Sequence, residues 1–138
     1  MSGLWVLAAL LVLLAAFGAW RHLADGRLKQ QRAGGERLSS SQVGGELGEQ
    51  ATLVQFTSAF CAPCRATKRI LGEVAQMLPG VKHLDLDVEE YLDLARDLNI
   101  ARTPTVLVLD SKGTIVKRAS GQPRKADVIA ALGEAIPA

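Results

Sequence analysis

Residues 3–20 read GLWVLAALLVLLAAFGAW, an uncharged apolar run that carries Trp5 near its start and Trp20 at its end. No other stretch constrains the fold of this chain so firmly. A helix made from it has no polar face to turn to water, so it must be buried on every side or lie in lipid. At ~1.5 Å per residue it spans ~27 Å, close to the ~30 Å hydrocarbon core of a bilayer. Tryptophans suit the two membrane interfaces. A helix apolar all round is out of place at the end of so small a domain, and the run is read as a transmembrane anchor. A cleaved signal peptide is the rival reading. It would want a basic residue before the run and a small-x-small cleavage site; no Lys or Arg precedes this run, and Ala16-Phe17-Gly18 is a weak site.

The anchor leaves enough of the 138 residues for one further domain. Residues 21–37 read as a basic polar linker containing Arg21, Arg27, Lys29, Arg32 and Arg37. With nothing basic ahead of the anchor, the positive-inside rule puts the C-terminal part of this single-pass chain in the cytoplasm. An extracytoplasmic domain is the alternative. The linker cations can also meet anionic lipid headgroups, or simply be solvated. Elsewhere the basic residues are scattered and the net charge is only +2, so no nucleic-acid partner is expected.

Residues 38–138 form the candidate domain. Only 4% of the chain is aromatic while 49% is hydrophobic, so aliphatic side chains must build its core. A short strand and a weak helix are expected within residues 38–48. Residues 51–57, ATLVQFT, predict a buried strand, and a helix follows over 62–78 with Pro63 in its first turn and Pro79-Gly80 stopping it. A second strand covers 81–88, where Leu84, Leu86 and Val88 alternate with His83, Asp85 and Asp87. A helix over 89–98 aligns Tyr91, Leu94, Ala95 and Leu98 and ends at Asn99. Strands over 104–109 and 114–119 flank a turn at Asp110-Ser111-Lys112-Gly113. A last helix over 124–136 aligns Val128, Ile129, Leu132 and Ile136. This order implies an α/β domain with a mixed sheet, parallel through its crossovers and antiparallel at a hairpin.

The chain has two cysteines, Cys61 and Cys64, two residues apart. That excludes a scaffold stapled by several disulfides. A bridge closing so small a loop restrains the unfolded chain little, so redox or metal chemistry explains the pair better. Phe60-Cys61-Ala62-Pro63-Cys64 follows a predicted strand and opens a predicted helix. The free amides and positive dipole end of the helix start favour a thiolate at Cys61. Cys64 is close enough to attack a mixed disulfide formed there. Structural zinc needs four ligands, and the chain has two cysteines and two histidines, with His22 at the membrane edge. Copper transfer or partner binding through the CxxC, without redox turnover, is the alternative function.

The stretches LVQFTSAFCAPCRATKRI and NIARTPTVLVLDSKGTIVKRASGQP resemble the thioredoxin family over about residues 51–136. The resemblance implies a three-layer α/β/α thioredoxin-like fold and a thiol–disulfide oxidoreductase with no cofactor beyond its cysteines. It implies disulfide- or dithiol-bearing protein substrates and a redox donor that the sequence does not identify. It makes Cys61 the attacking thiol and Cys64 the resolving one. Thr103-Pro104 would be the family's cis-proline bond beside the sulfurs, and Gly121 its glycine.

Four positions depart from the family. Its buried aspartate is replaced by Gln55, which cannot take a proton. Phe60 and Thr57 stand where tryptophans are usual, and Ala62-Pro63 where Gly-Pro is usual. His83 aligns with the family's lysine near the buried acid. Gln55 and His83, with a water, are candidates to line the space under Cys64, with His83 relaying the resolving proton; the alternative is that His83 is a half-exposed strand residue. Arg65, Lys68 and Arg69 are candidates to stabilise the thiolate or attract an acidic partner, or else form a solvated face.

Overall fold

The structure, a computed structural model, describes residues 1–24, 29–30 and 36–136. The first element, helix α1 (Ser2–Ala24), carries the apolar run one turn further than the sequence predicts and places Arg21 and His22 in its last turn, where cations suit the dipole. Its stretch Ser2–Leu23 has a mean hydropathy of 2.2, and no part of its apolar window is buried. By length and composition it can cross a membrane, and it is not a core helix of the domain. Most of the expected linker, with Arg27 and Arg32, lies outside the described residues.

Of the strand and helix expected within residues 38–48, only the helix forms, as α2 (Ser40–Val43). Ser39 and Gln42 close a capping box, and Gly44 ends the helix in the left-handed region at φ 69°. Tyr91 lies against Gly44, so a side chain there would collide with it. Strand β2 (Ala51–Thr57), helix α3 (Ala62–Met77), strand β3 (Val81–Asp87), helix α4 (Leu92–Asp97), strands β4 (Thr105–Asp110) and β5 (Ile115–Ser120) and helix α5 (Lys125–Ala135) follow. The two-residue strand β1 (Lys29–Gln30) completes a sheet of order β1-β5-β4-β2-β3. β2 and β3 run parallel, while β4 is antiparallel to both β2 and β5.

β2 and β4 are buried on both faces, as central strands covered by helices must be. Ala51, Leu53, Val106 and Val108 pack under α3 and α5, against Leu71, Val74, Val128, Ala131 and Leu132. On the opposite face Val54, Phe56, Leu107 and Leu109 meet Val43, Ala95 and Leu98 of the α2 and α4 side. The result is a three-layer α/β/α architecture around the mixed sheet that the element order implies.

Two expected elements change on folding. Helix α4 starts at Leu92 rather than Glu89, because Asp87 turns the chain first: its Oδ1 accepts from Glu89 N at 2.9 Å and its carbonyl from Tyr91 N at 3.0 Å. In α5, Ile129 is exposed, and the buried stripe is Val128, Ala131, Leu132 and Ala135. That stripe lies about 100° around the helix from Ile129. Asn99 ends α4 with φ 54°, as its sequence position suggests.

Candidate active site

β2 delivers the chain to Phe60 and Cys61, and α3 starts on the next residue. Cys61 is extended at φ −109° and ψ 101° and acts as the N-cap, with its Sγ accepting from Cys64 N at 3.2 Å. Pro63 sits in the first turn, where its missing N–H costs no helical bond. Cys61 and Cys64 are joined as a disulfide, with Cα atoms 5.2 Å apart. They are unequal in access: Cys61 is half-buried, whereas Cys64 is 3% exposed.

The Cys61 side opens to solvent. Phe60 is fully exposed and holds φ 59°, a left-handed conformation that a bulky residue adopts only at a cost. Across from the sulfur, Thr103-Pro104 is a cis peptide. The Thr103 hydroxyl is 3.9 Å from Cys61 Sγ and 2.7 Å from the Ser58 hydroxyl. Gly121 N donates to the Pro104 carbonyl at 2.7 Å, and that fixes the neighbouring loop with φ 94° at the glycine. Pro63, Ile70, Pro104 and Pro123, with His22 and Leu23 at the end of α1, line a groove next to the cis proline.

The Cys64 side is closed. Gln55 is completely buried on the α3 side of β2, and its Nε2 donates to the Cys64 carbonyl at 2.8 Å. Its Oε1 lies 3.3 Å from His83 Nε2. The amide nitrogen is committed to a carbonyl, which only accepts, so the amide oxygen must be the acceptor and His83 Nε2 the donor. Burial pushes the imidazole below its ordinary value; the Asp85 carboxylate opposes this and the Lys68 ammonium reinforces it. His83 is therefore neutral near neutral pH, with its proton on the nitrogen facing Gln55. Lys68 pairs with Asp85 at 3.3 Å, while Arg65 and Arg69 lie exposed on α3.

The residues singled out from the sequence thus fall into two groups around one disulfide. Phe60, Pro63, Thr103 and Pro104 surround its open side, and Gln55 and His83 form a chain beneath its closed side. Two contributors are not readable in the sequence. Ser58 matters only through Thr103, 45 positions away. Arg118 of β5 donates from its two terminal nitrogens to the carbonyls of Leu98 and Asn99 at 2.6 and 2.8 Å, and so holds the loop that leads to Thr103. Among the described residues, no group of three or more His, Cys, Asp or Glu is placed to hold a metal ion.

A family model described as Thioredoxin matches residues 41–134. The chain is 40% identical over 57 residues to the chloroplastic thioredoxin M3 of Oryza sativa subsp. japonica, covering 41% of this chain and 33% of that protein. It is 35% identical over 69 residues to an H-type thioredoxin of Ricinus communis, covering 50% of this chain and 58% of that one. The chain therefore spans a third to less than two thirds of the length of these relatives. Among solved structures, a mutant thioredoxin from Halobacterium salinarum NRC-1 superposes with a TM-score of 0.59 at 18% identity, covering 65% of this chain and 78% of that one. A likeness at that identity speaks for the fold.

Proposed function

The chain belongs to the thioredoxin family, and on that premise we propose that it is a thiol–disulfide oxidoreductase acting on protein disulfides, tethered to a membrane by α1. The observation that carries this reading is the unequal cysteine pair at the strand–helix junction, with one sulfur reachable and the other sealed.

In the reducing direction, the Cys61 thiolate attacks a substrate disulfide. A Cys61–substrate bond forms, the substrate S–S bond breaks, and the released substrate thiolate takes up a proton. Cys64, having lost its own proton, then attacks Cys61 Sγ, closes the intramolecular disulfide and expels the second substrate thiol. Two electrons pass to the substrate, and a dithiol partner of lower potential must return them. Supporting the first step, the Cys64 amide at the start of α3 donates to Cys61 Sγ. The groove by Pro104 offers an extended substrate segment an apolar seat and the backbone of Thr103.

Gln55 is a fixed amide, so position 55 cannot take the Cys64 proton. In this reading Gln55 and His83 brace the Cys64 backbone. With Nε2 engaged as a donor to Gln55, only His83 Nδ1 is left to accept a proton. The domain division 3–20, 21–37 and 38–138 and the cytoplasmic placement belong to the same proposal. They rest on the apolar run and the basic residues that follow it.

The test is reduction of insulin by the full-length chain with dithiothreitol as electron source. Turnover above the uncatalysed rate, lost in Cys61→Ser, is the expected result, and a rate equal to the blank overturns the reading. Labelling engineered cysteines at Ser2 and Ser111 from outside intact cells tests the topology. Labelling at Ser2 alone is expected, and labelling at Ser111 alone reverses the orientation.

A further inference from the structure

The Cys61 sulfur has a second potential donor besides the helix amide, and it comes from a different part of the fold. Thr103 Oγ1 points at Cys61 Sγ from 3.9 Å, within reach for a hydroxyl–sulfur bond. A hydroxyl carries one proton. If Thr103 gives that proton to sulfur, its 2.7 Å bond to Ser58 must be one it accepts. The only consistent order with Thr103 facing the sulfur is therefore Ser58 O–H to Thr103 O, and Thr103 O–H to Cys61 Sγ. Such a chain polarises itself, each bond strengthening the next. Both hydroxyls are part-buried, so water competes with the arrangement less than at an open surface.

We infer that Ser58 is a positioning residue for the redox reaction: by donating to Thr103 it aims the Thr103 hydroxyl at Cys61 and stabilises the thiolate form of that sulfur. The inference rests on the proposed oxidoreductase reading. In the disulfide state the sulfur is a weak acceptor. Reduction turns it into an anion, and hydrogen bonds to an anion are shorter and about twice as strong as neutral ones. The donor is thus set in place before the charge it serves appears. Ser58 lies at the end of β2 and Thr103 at the cis bond before β4, so the pair also ties the active-site turn to the cis-proline loop.

The experiment is a pH titration of the reduced full-length protein, following thiolate absorbance at 240 nm and the rate of iodoacetamide alkylation of Cys61. Wild type, Ser58→Ala, Thr103→Val and the double variant are compared. A neutral side-chain donor is worth about a factor of three in thiolate population, by the usual size of one net hydrogen bond. Ser58→Ala should therefore move the Cys61 midpoint upward and cut alkylation about three-fold at a pH below that midpoint. Thr103→Val should do at least as much, and the double variant no more than Thr103→Val alone. Thr103→Ser should restore the wild-type midpoint, which a merely space-filling role does not predict. Thr103→Val keeps the shape of the residue, so it tests the chain from its other end if Ser58→Ala fails to fold. An unchanged midpoint in Ser58→Ala or in Thr103→Val overturns the inference. If those variants titrate like wild type while wild type still reduces insulin, the inference alone fails. If wild type reduces no insulin, the functional reading fails instead.

Discussion

Cys61 and Cys64 are one helical turn apart, yet they occupy opposite environments. Around Cys61 lie an exposed aromatic ring, two hydroxyls, a cis proline and one helix amide, next to a groove lined by Pro63, Thr103 and Pro104. Around Cys64 lie a buried amide and a half-buried imidazole whose hydrogen bonds end on its backbone carbonyl. In the proposed reaction the open side meets the partner and holds negative charge, and the closed side holds a position. Attack and resolution need these two different things, and the difference supports the proposed roles beyond the CxxC spacing.

The largest expected effect comes from removing either sulfur. Cys61→Ser should abolish disulfide reduction. Cys64→Ser should keep the first step and accumulate a covalent complex with substrate, visible as a reducible adduct in gel electrophoresis. A trapped adduct in Cys61→Ser instead would invert the comparison.

Next comes the brace. Gln55→Leu leaves the His83 Nε2 donor without its acceptor and the Cys64 carbonyl without its side-chain donor. An unmet buried group costs ~1–3 kcal/mol, and chemical denaturation should show a loss of that order. Activity should fall less than stability, because the attacking sulfur is untouched. A variant that kept full stability and lost activity would make Gln55 a chemical participant and not a brace.

A smaller effect concerns pH. Folding lowers the affinity of His83 for protons, so the unfolded chain binds more of them below the ordinary histidine value of ~6.5. Stability from this residue is therefore present above that value and drains away as pH falls below it, by at most ~1.4 kcal/mol per pH unit. Urea midpoints at pH 7.5 and 5.5 should differ more in wild type than in His83→Gln. Equal differences would mean that His83 is solvated on folding.

The smallest effect is expected at Phe60. Its φ of 59° costs ~1–2 kcal/mol for an L-residue, and the greater entropy loss of glycine on folding returns ~0.5–1 of that. Phe60→Gly should thus stabilise the domain by ~0.5–1 kcal/mol while raising the KM for protein substrates, since the exposed ring is gone. A destabilised variant would show that Phe60 packs in a way its full exposure does not suggest.

The sequence carried much of this. The buried strand over Ala51–Thr57, the proline in the first turn of α3 and the Thr103-Pro104 position are all local signals, and the structure places them where the patterns point. The grouping of Gln55 and His83 beneath Cys64 is also legible, because a polar side chain inside LVQF must find partners and the family resemblance sets His83 near that position. What stayed hidden depended on the third dimension. Asp87 unwinds the expected start of α4 through a turn that competes with the helix. Ile129 loses its place in the core to alanines, because the docking angle of α5 selects the stripe through Val128 and Leu132. Ser58 looks like an ordinary loop serine until folding brings Thr103 to it.

The central claim is that the two sulfurs differ in access and role. Brief treatment of the reduced full-length protein with substoichiometric iodoacetamide, followed by peptide mass spectrometry, measures this directly. The label should fall on Cys61, with Cys64 nearly free of it. Equal labelling, or a preference for Cys64, would contradict it.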